Sequence, residues 1–514
     1  MSFSHTASFP SVAEVRQRAA AIAAAIEPPR IPDRELDLIA HSGLSPDSAG
    51  SVDFAPAVAA AIAELSAQGG GRLVFRHPAG AQTWVKPVVT YRLRGPLHLR
   101  SRISLELDPC TRLFFEFDPP AYSAGGQGVY LRYEGTSLFS LSPLIYAYDC
   151  EDIRIRARPG SGAPPAIDGD GERWQAWAQE GQQAQAAAGR SPSYERLKQL
   201  NNQQLPLAQR HFADPAKDFF RPTLLGLYFS RRILVENVRL QHSPFWVVHP
   251  VFCQDAVFRR LLFHAYLVNN DGIDPECCSR VLVEDVVFGN HDDNIAVKGG
   301  RDAEGREGLA VAGTPLADLV HPAIREGLLQ APTEDIVVRR CCFEGHYGFC
   351  VGSDLANTTR RVYAIDNVVA REVGMAVYVK SSRRRGARIH DVHVAGLEVA
   401  SSRGALVCIN ANYDNDPVAA HPPAIGGITV REVRARQAGA GIVVTGWPDA
   451  PIGPVLIENL ACERLESEDH AAAPKPLELL NAEAVTLRDV VLDGRRLPDE
   501  TLHARSADAP PHQI

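Results

Sequence analysis

Four short runs hold the residues best suited to chemistry: Asn269-Asn270-Asp271-Gly272-Ile273-Asp274, His291-Asp292-Asp293-Asn294, Gly345-His346-Tyr347-Gly348 and Tyr378-Val379-Lys380. Cleaving a glycosidic bond needs one carboxylic acid to protonate the leaving oxygen. It also needs one carboxylate to direct water or to attack the anomeric carbon. Asp271, Asp292 and Asp293 supply both, and their mutual repulsion raises one pKa so that one of them keeps its proton. His346 can orient that acid. Each run alone reads as a turn, because Asn-Asp-Gly strings and Asp-Asp pairs occur wherever a chain bends. All four, in this order, read as a carbohydrate-cleaving site.

The elements that must position these residues are visible as a repeat. Apolar residues recur at offsets 0, 2, 5 and 7, as in Ile233/Val235/Val238/Leu240, Val281/Val283/Val286/Phe288 and Val392/Val394/Leu397/Val399. Unit starts fall at Ile233, Ala256, Val281, Ile336, Val362, Val392, Ile428, Val455 and Val485, which are 23 to 36 residues apart save for one gap of 55. Period-two alternation marks strands, and the extra residue between the two pairs marks a bend. A period of this length means a solenoid. The expected fold is all-β, a single-stranded right-handed parallel β-helix with neighbouring coils roughly 4.8 Å apart. Asp292 lies 11 residues into its unit and His346 lies 10 into the next, so they fall on one face in adjacent coils.

A solenoid must cover its ends. The alanine-rich segment Phe54 to Ala67 is expected to be a helical plug, with Ser51 or Asp53 at its start. Residues 1–34 form an amino-terminal extension with a helix from about Val12 to Ile26, residues 35–495 the body, and 496–514 a tail. Two segments break the rhythm, at about 171–220 (helical in pattern, with Trp174 and Trp177 placed either to stack on a sugar or to pack) and 299–333, beside the acids. Arg383-Arg384-Arg385 reads as a solvated loop.

Hydrophobic residues make up 45% of the chain and charged ones 22%, the composition of a core-forming protein. A net charge of −8 argues against nucleic acid or an anionic membrane as partner. No apolar run is long enough to span a bilayer, and no signal peptide is seen. The expected compartment is the cytoplasm if Met1 is the native start, and the periplasm or exterior if a signal was removed. The ten cysteines lack metal-ligand spacing and read as buried reduced thiols.

At its four runs the chain resembles glycoside hydrolase family 28, the polygalacturonases. That family shows Asn-Thr-Asp, Gly/Asp-Asp-Asp, Gly-His-Gly and Arg-Ile-Lys at comparable separations. Flanking stretches such as Gly69 to Phe75, Pro143 to Ala147 and Ser243 to Trp246 look similar too, and the resemblance covers roughly residues 35 to 495. It implies that Asp292 is the general acid, that Asp271 and Asp293 hold and activate water, and that His346 supports the acid. It further implies an inverting mechanism with no metal or other cofactor, and a pectic oligo- or polysaccharide as substrate. Asn269, Tyr347, Tyr378 and Lys380 are the expected substrate contacts, with Lys380 on a galacturonate carboxylate. Tyr378 stands where the family has arginine and Tyr347 where it has glycine, which suggests an altered substrate. The inserts suggest exo action.

Two other readings compete. Asp271, Asp274, Asp292 and Asp293 can also hold Ca²⁺ for a pectate-lyase-like β-elimination. A non-catalytic, tailspike-like solenoid would use the same acids only to bind sugar.

Overall fold

Parallel pairing runs through the offset-0 residues from coil to coil: Ile233 to Ala256, Val281, Ile336, Val362, Val392, Ile428, Val455 and Val485, each in register with the next. The computed structural model describes residues 9–46, 51–78, 88–309, 331–467 and 474–505. It is a parallel β-helix, and its register continues upstream through Ile153, Ile103 and Gly71. These first coils escape the repeat pattern because the segment 158–224 separates Ile153 from Ile233 by 80 residues.

The bend has one stereochemical cause. The residue at offset 4 is left-handed in every downstream coil, at Asn237, Arg260, Asp285, Arg340, Asp366, Gly396, Glu432, Asn459 and Asp489. Strain at the non-glycine positions is offset where their side chains pair across coils: Arg260 Nε donates to Asn237 at 2.8 Å and Arg340 Nε to Asp285 at 2.8 Å. A second left-handed column, at offset −1, alternates in sign, with Arg232 on Asp152 at 2.6 Å, Arg280 on Asp255 at 2.6 Å and Arg361 on Asp335 at 2.7 Å. Inside, one apolar core runs the length of the molecule.

The plug helix spans Ala55–Ala67 and buries Val58, Ala61, Ile62 and Leu65 against the first coils. Asp53 holds its start, accepting the Ala55 N–H at 2.9 Å. The amino-terminal helix, Val12–Ala25, begins with a capping box between Ser11 and Glu14. It is a strap rather than a free extension. Val15 and Ala19 pack on Leu282, Val337, Tyr363 and Ala395 from successive coils. Along it the Pro10 carbonyl accepts from Arg431, Arg16 pairs with Asp366 and Glu432, and the Arg30 N–H donates to Asp152. At the other end the body outruns residue 495: Glu500–Ala504 returns antiparallel to the last coil, with Leu502 opposite Val485. The rest of the expected tail, from 506, lies outside the described residues, as do 1–8.

The first insert is helical, Gly171–Ala187 and Ser193–Asn202. Trp174 is fully buried, edge-on to Phe117 and Tyr122, and Trp177 packs on Phe117 and Phe219. Both tryptophans therefore anchor the insert. The second contains a helix, Asp302–Glu307; residues 310–330 lie outside the described residues. Arg385 is buried against Asp302, Asp354 and Asp414, which corrects the solvated reading at that position: the aspartates compensate its charge out of water. All ten cysteines are unpaired, nine of them buried. Among the described residues no helix is long and apolar enough to cross a membrane.

Candidate active site

The four runs converge on one sheet of the solenoid. Ile273, Ile295, Phe349 and Val377 point into the core in register, which turns their neighbours outward in columns. Asp293 pairs with Tyr347, and the Gly272 N–H donates to the Asp293 carbonyl, so Asp271, Asp293 and Tyr347 step along one line. Next to it run Asp274, Ala296, Cys350, Tyr378 and Cys408. Gly348 permits the stacking, since a Cβ there would lie 2.3 Å from the Ala376 carbonyl.

Two ammonium groups sit among four carboxylates. Lys298 Nζ lies 3.1 Å from Asp271 and 3.8 Å from Asp274, and 4.0 Å from the centre of the Trp246 ring. Lys380 Nζ donates to both oxygens of Asp293, at 3.1 and 2.9 Å. Burial opposes the charge of each lysine, but the adjacent aspartates outweigh it and hold both pKa values well above the ordinary range. Burial, and then Asp274, raises the pKa of Asp271; burial also raises that of Asp274. Asp271 has the shorter contact to Lys298, whereas both Asp274 oxygens are buried without a hydrogen-bond partner. Asp274 is therefore the less compensated carboxyl of the pair.

Asp292 is only partly buried and projects toward the groove, its Oδ1 accepting the Asp293 N–H at 3.0 Å. Desolvation, and then the charge of Asp293, raise its pKa. His346 stands in the neighbouring coil, its N–H donating to the Asp292 carbonyl at 3.1 Å. Arg403 Nη2 donates to His346 Nδ1 at 2.9 Å. Arg403 Nη2 also lies 3.5 Å from Nε2, and because guanidinium only donates, the shorter contact favours a neutral imidazole with its lone pair on Nδ1. Burial and then Arg403 hold the His346 pKa below its usual value.

Asp271, Asp292, Asp293 and His346 thus come together as the spacing implies. The expected substrate contacts are placed differently. Lys380 is 4% exposed, with the rings of Tyr347, Tyr378 and Tyr413 centred 5.0, 5.0 and 5.5 Å from its ammonium. It pairs with Asp293 at the floor of the groove. Tyr378 is buried with Ala296, Cys350 and Cys408 in an apolar floor, and Tyr347 stands edge-on to His346. Asn269 accepts from Arg221 at 2.7 Å. Sequence reasoning did not single out Lys298, Trp246, Arg403 or Arg221. Arg403 was within reach, because it lies 11 residues into its unit, as Asp292 does.

Residues 216–445 match the model of the family described as Glycosyl hydrolases family 28. A "Probable polygalacturonase" from Vitis vinifera is 29% identical over 252 residues, 47% of this chain and 46% of that protein, so the match spans less than half of the relative. Among solved structures, a hyperthermoactive exopolygalacturonase from Thermotoga maritima superposes with a TM-score of 0.78 at 26% identity, covering 95% of this chain and 98% of its own. A polygalacturonase from Erwinia carotovora ssp. carotovora shares the fold, with a TM-score of 0.57 at 15% identity over 94% of this chain and 97% of its own. The coils that carry the acids thus lie within the segment that matches glycosyl hydrolases family 28, and the fold is shared with the Thermotoga maritima enzyme.

Proposed function

We infer that the protein hydrolyses α-glycosidic bonds of galacturonate-containing pectic oligo- or polysaccharides, by single displacement and from a chain end. The observation that carries this reading is the unequal state of adjacent acids. Asp292, partly exposed, has its protonated form favoured by burial and then by the charge of Asp293, and it stands beside Asp293, which is paired with Lys380. Asp292 then protonates the leaving oxygen. Asp293 and Asp271 take up the incoming water, with Lys298 as the counter-charge of Asp271. Neutral His346, with its Nε2–H available, supports the acid.

Exo action is favoured by the insert helices, which wall off the groove beside Asn269. The similar Thermotoga maritima enzyme is itself an exopolygalacturonase, which supports the same reading. The Ca²⁺-dependent lyase reading needs the space between the carboxylates for a divalent cation, and Lys298 and Lys380 fill that space with ammonium.

Asp292→Asn and Asp271→Asn are each expected to lower turnover of pectic oligosaccharides by at least about 100-fold, the scale of a lost acid or base. Product analysis by NMR reports bond, anomer and chain-end preference together. Near-full activity in either variant, or an EDTA-sensitive unsaturated product, overturns the reading.

A further inference from the structure

The cations of the groove are nearly all committed to carboxylates. Lys298 and Lys380 hold Asp271 and Asp293, Arg403 lies 3.6 Å from Glu372, and Arg383 and Arg384 pair with Asp449 and Asp416. Arg221 is the exception. Its Nη1 donates to the carbonyls of Pro244 at 3.0 Å and Val268 at 2.7 Å, and its Nη2 to Asn269 Oδ1 at 2.7 Å. All three acceptors are neutral, and its guanidinium carbon sits 5.1 Å from the centre of the Phe245 ring. Among the described residues no carboxylate lies within 4.0 Å of it. A cation so fixed keeps its full charge and its orientation.

Arg221 faces a cavity of ≈ 360 Å³ between the insert helices and the coils, which shares Asn269 with the turn that leads to Asp271. Pockets for small ligands begin at roughly 300 Å³. The helix Gly171–Ala187 turns two different faces to its surroundings. Trp174, Ala178 and Gly181 are buried, while Gln175, Gln179 and Gln182, spaced i, i+4, i+7, line the cavity. Gln175 Oε1 is buried with no hydrogen-bond partner among the described residues. Each amide offers one acceptor and a pair of donors, a match for adjacent sugar hydroxyls. The rings of Tyr133 and Tyr194 also line the wall, as do two carboxylates that are each paired with a cation, Glu134 with Arg301 and Glu195 with Lys198.

We propose that this cavity is a uronate subsite in which Arg221 pairs with the sugar carboxylate and Gln175, Gln179 and Gln182 bind the ring hydroxyls. The acid sugar is thereby gripped by an arginine that directly follows the insert. The proposal deepens the pectic reading and rests on it for the source of the sugar, but its test needs no turnover.

Galacturonic acid and galactose present the same ring with and without a carboxylate. Each is titrated into the whole protein by calorimetry at about pH 6, where the sugar acid is ionised. Galacturonate is expected to bind roughly tenfold or more tightly than galactose, the scale of a charge-assisted pair. Arg221→Gln should abolish that difference and Arg221→Lys should retain part of it. Equal affinities in the wild type, no galacturonate binding at millimolar concentration, or a preference that survives Arg221→Gln each overturns the proposal. Should Arg221→Gln fail to fold, Gln179→Leu with Gln182→Leu decides, since both side chains are exposed; unchanged galacturonate affinity then overturns it. Binding without hydrolysis of any pectic oligosaccharide would sink the hydrolase reading and leave this one standing. A hydrolase indifferent to Arg221→Gln would do the reverse.

Discussion

Arg403 acts at one remove from Asp292, through the imidazole of His346 in the neighbouring coil. Its contact fixes the lone pair on His346 Nδ1 and, after burial, is the next largest cause of the lowered His346 pKa. Replacing Arg403 by Met should raise that pKa, so that the imidazole becomes cationic in mildly acidic solution. A cation beside Asp292 favours its ionised form, so the acid loses its proton earlier and the alkaline limb of kcat against pH moves to lower pH. Histidine NMR titration together with the pH profile checks both halves; a profile that stays in place denies Arg403 this positioning role. At this scale the sequence was half legible. The acids and His346 are named by residue type and spacing, because chemistry restricts those types tightly. The destination of a long side chain is not written in its position: Lys380 and Lys298 turn toward carboxylates that surround them only once three coils are stacked.

At the scale of elements, the insert helix is held by close contact rather than by bulk. A Cβ on Gly181 would come within 2.2 Å of the Phe219 ring. Gly181→Leu must therefore lift the helix from the coils, opening the groove beside Asn269 while leaving the acids untouched. The expected outcome is a shift in products from single sugars toward mixed oligosaccharides, read by chromatography, with little loss of bond cleavage. A product pattern that does not change would show that the insert does not set exo action. The downstream coils were legible because burial on the inner face forces valine and isoleucine at fixed offsets. The upstream coils share that inner face, and Ile103, Ile153 and Ile233 are all buried, but the long excursion between Ile153 and Ile233 breaks the period that makes such residues recognisable.

Across the whole molecule, the amino-terminal helix changes how the repeats depend on one another. In a solenoid each coil touches only its neighbours, and unfolding can divide along its length. Here the helix and the segment that follows it to Arg30 grip coils from Asp152 to Glu432, tying distant repeats into one unit. Val15→Asp places a charge on a residue that is 1% exposed. It should release the helix and split a single denaturant transition into two, seen by comparing tryptophan fluorescence with circular dichroism. One unbroken transition in the variant would mean that the coils cooperate without the strap. The same contact bears on biosynthesis. Pro10 and Arg431 are 421 residues apart in the chain, so the helix is made before any coil exists to receive it. Its apolar side, Val15 and Ala19, stays uncovered until Leu282, Val337 and Tyr363 have emerged and wound. A segment translated early therefore finds its place late, and the growing chain must stay in solution through that wait.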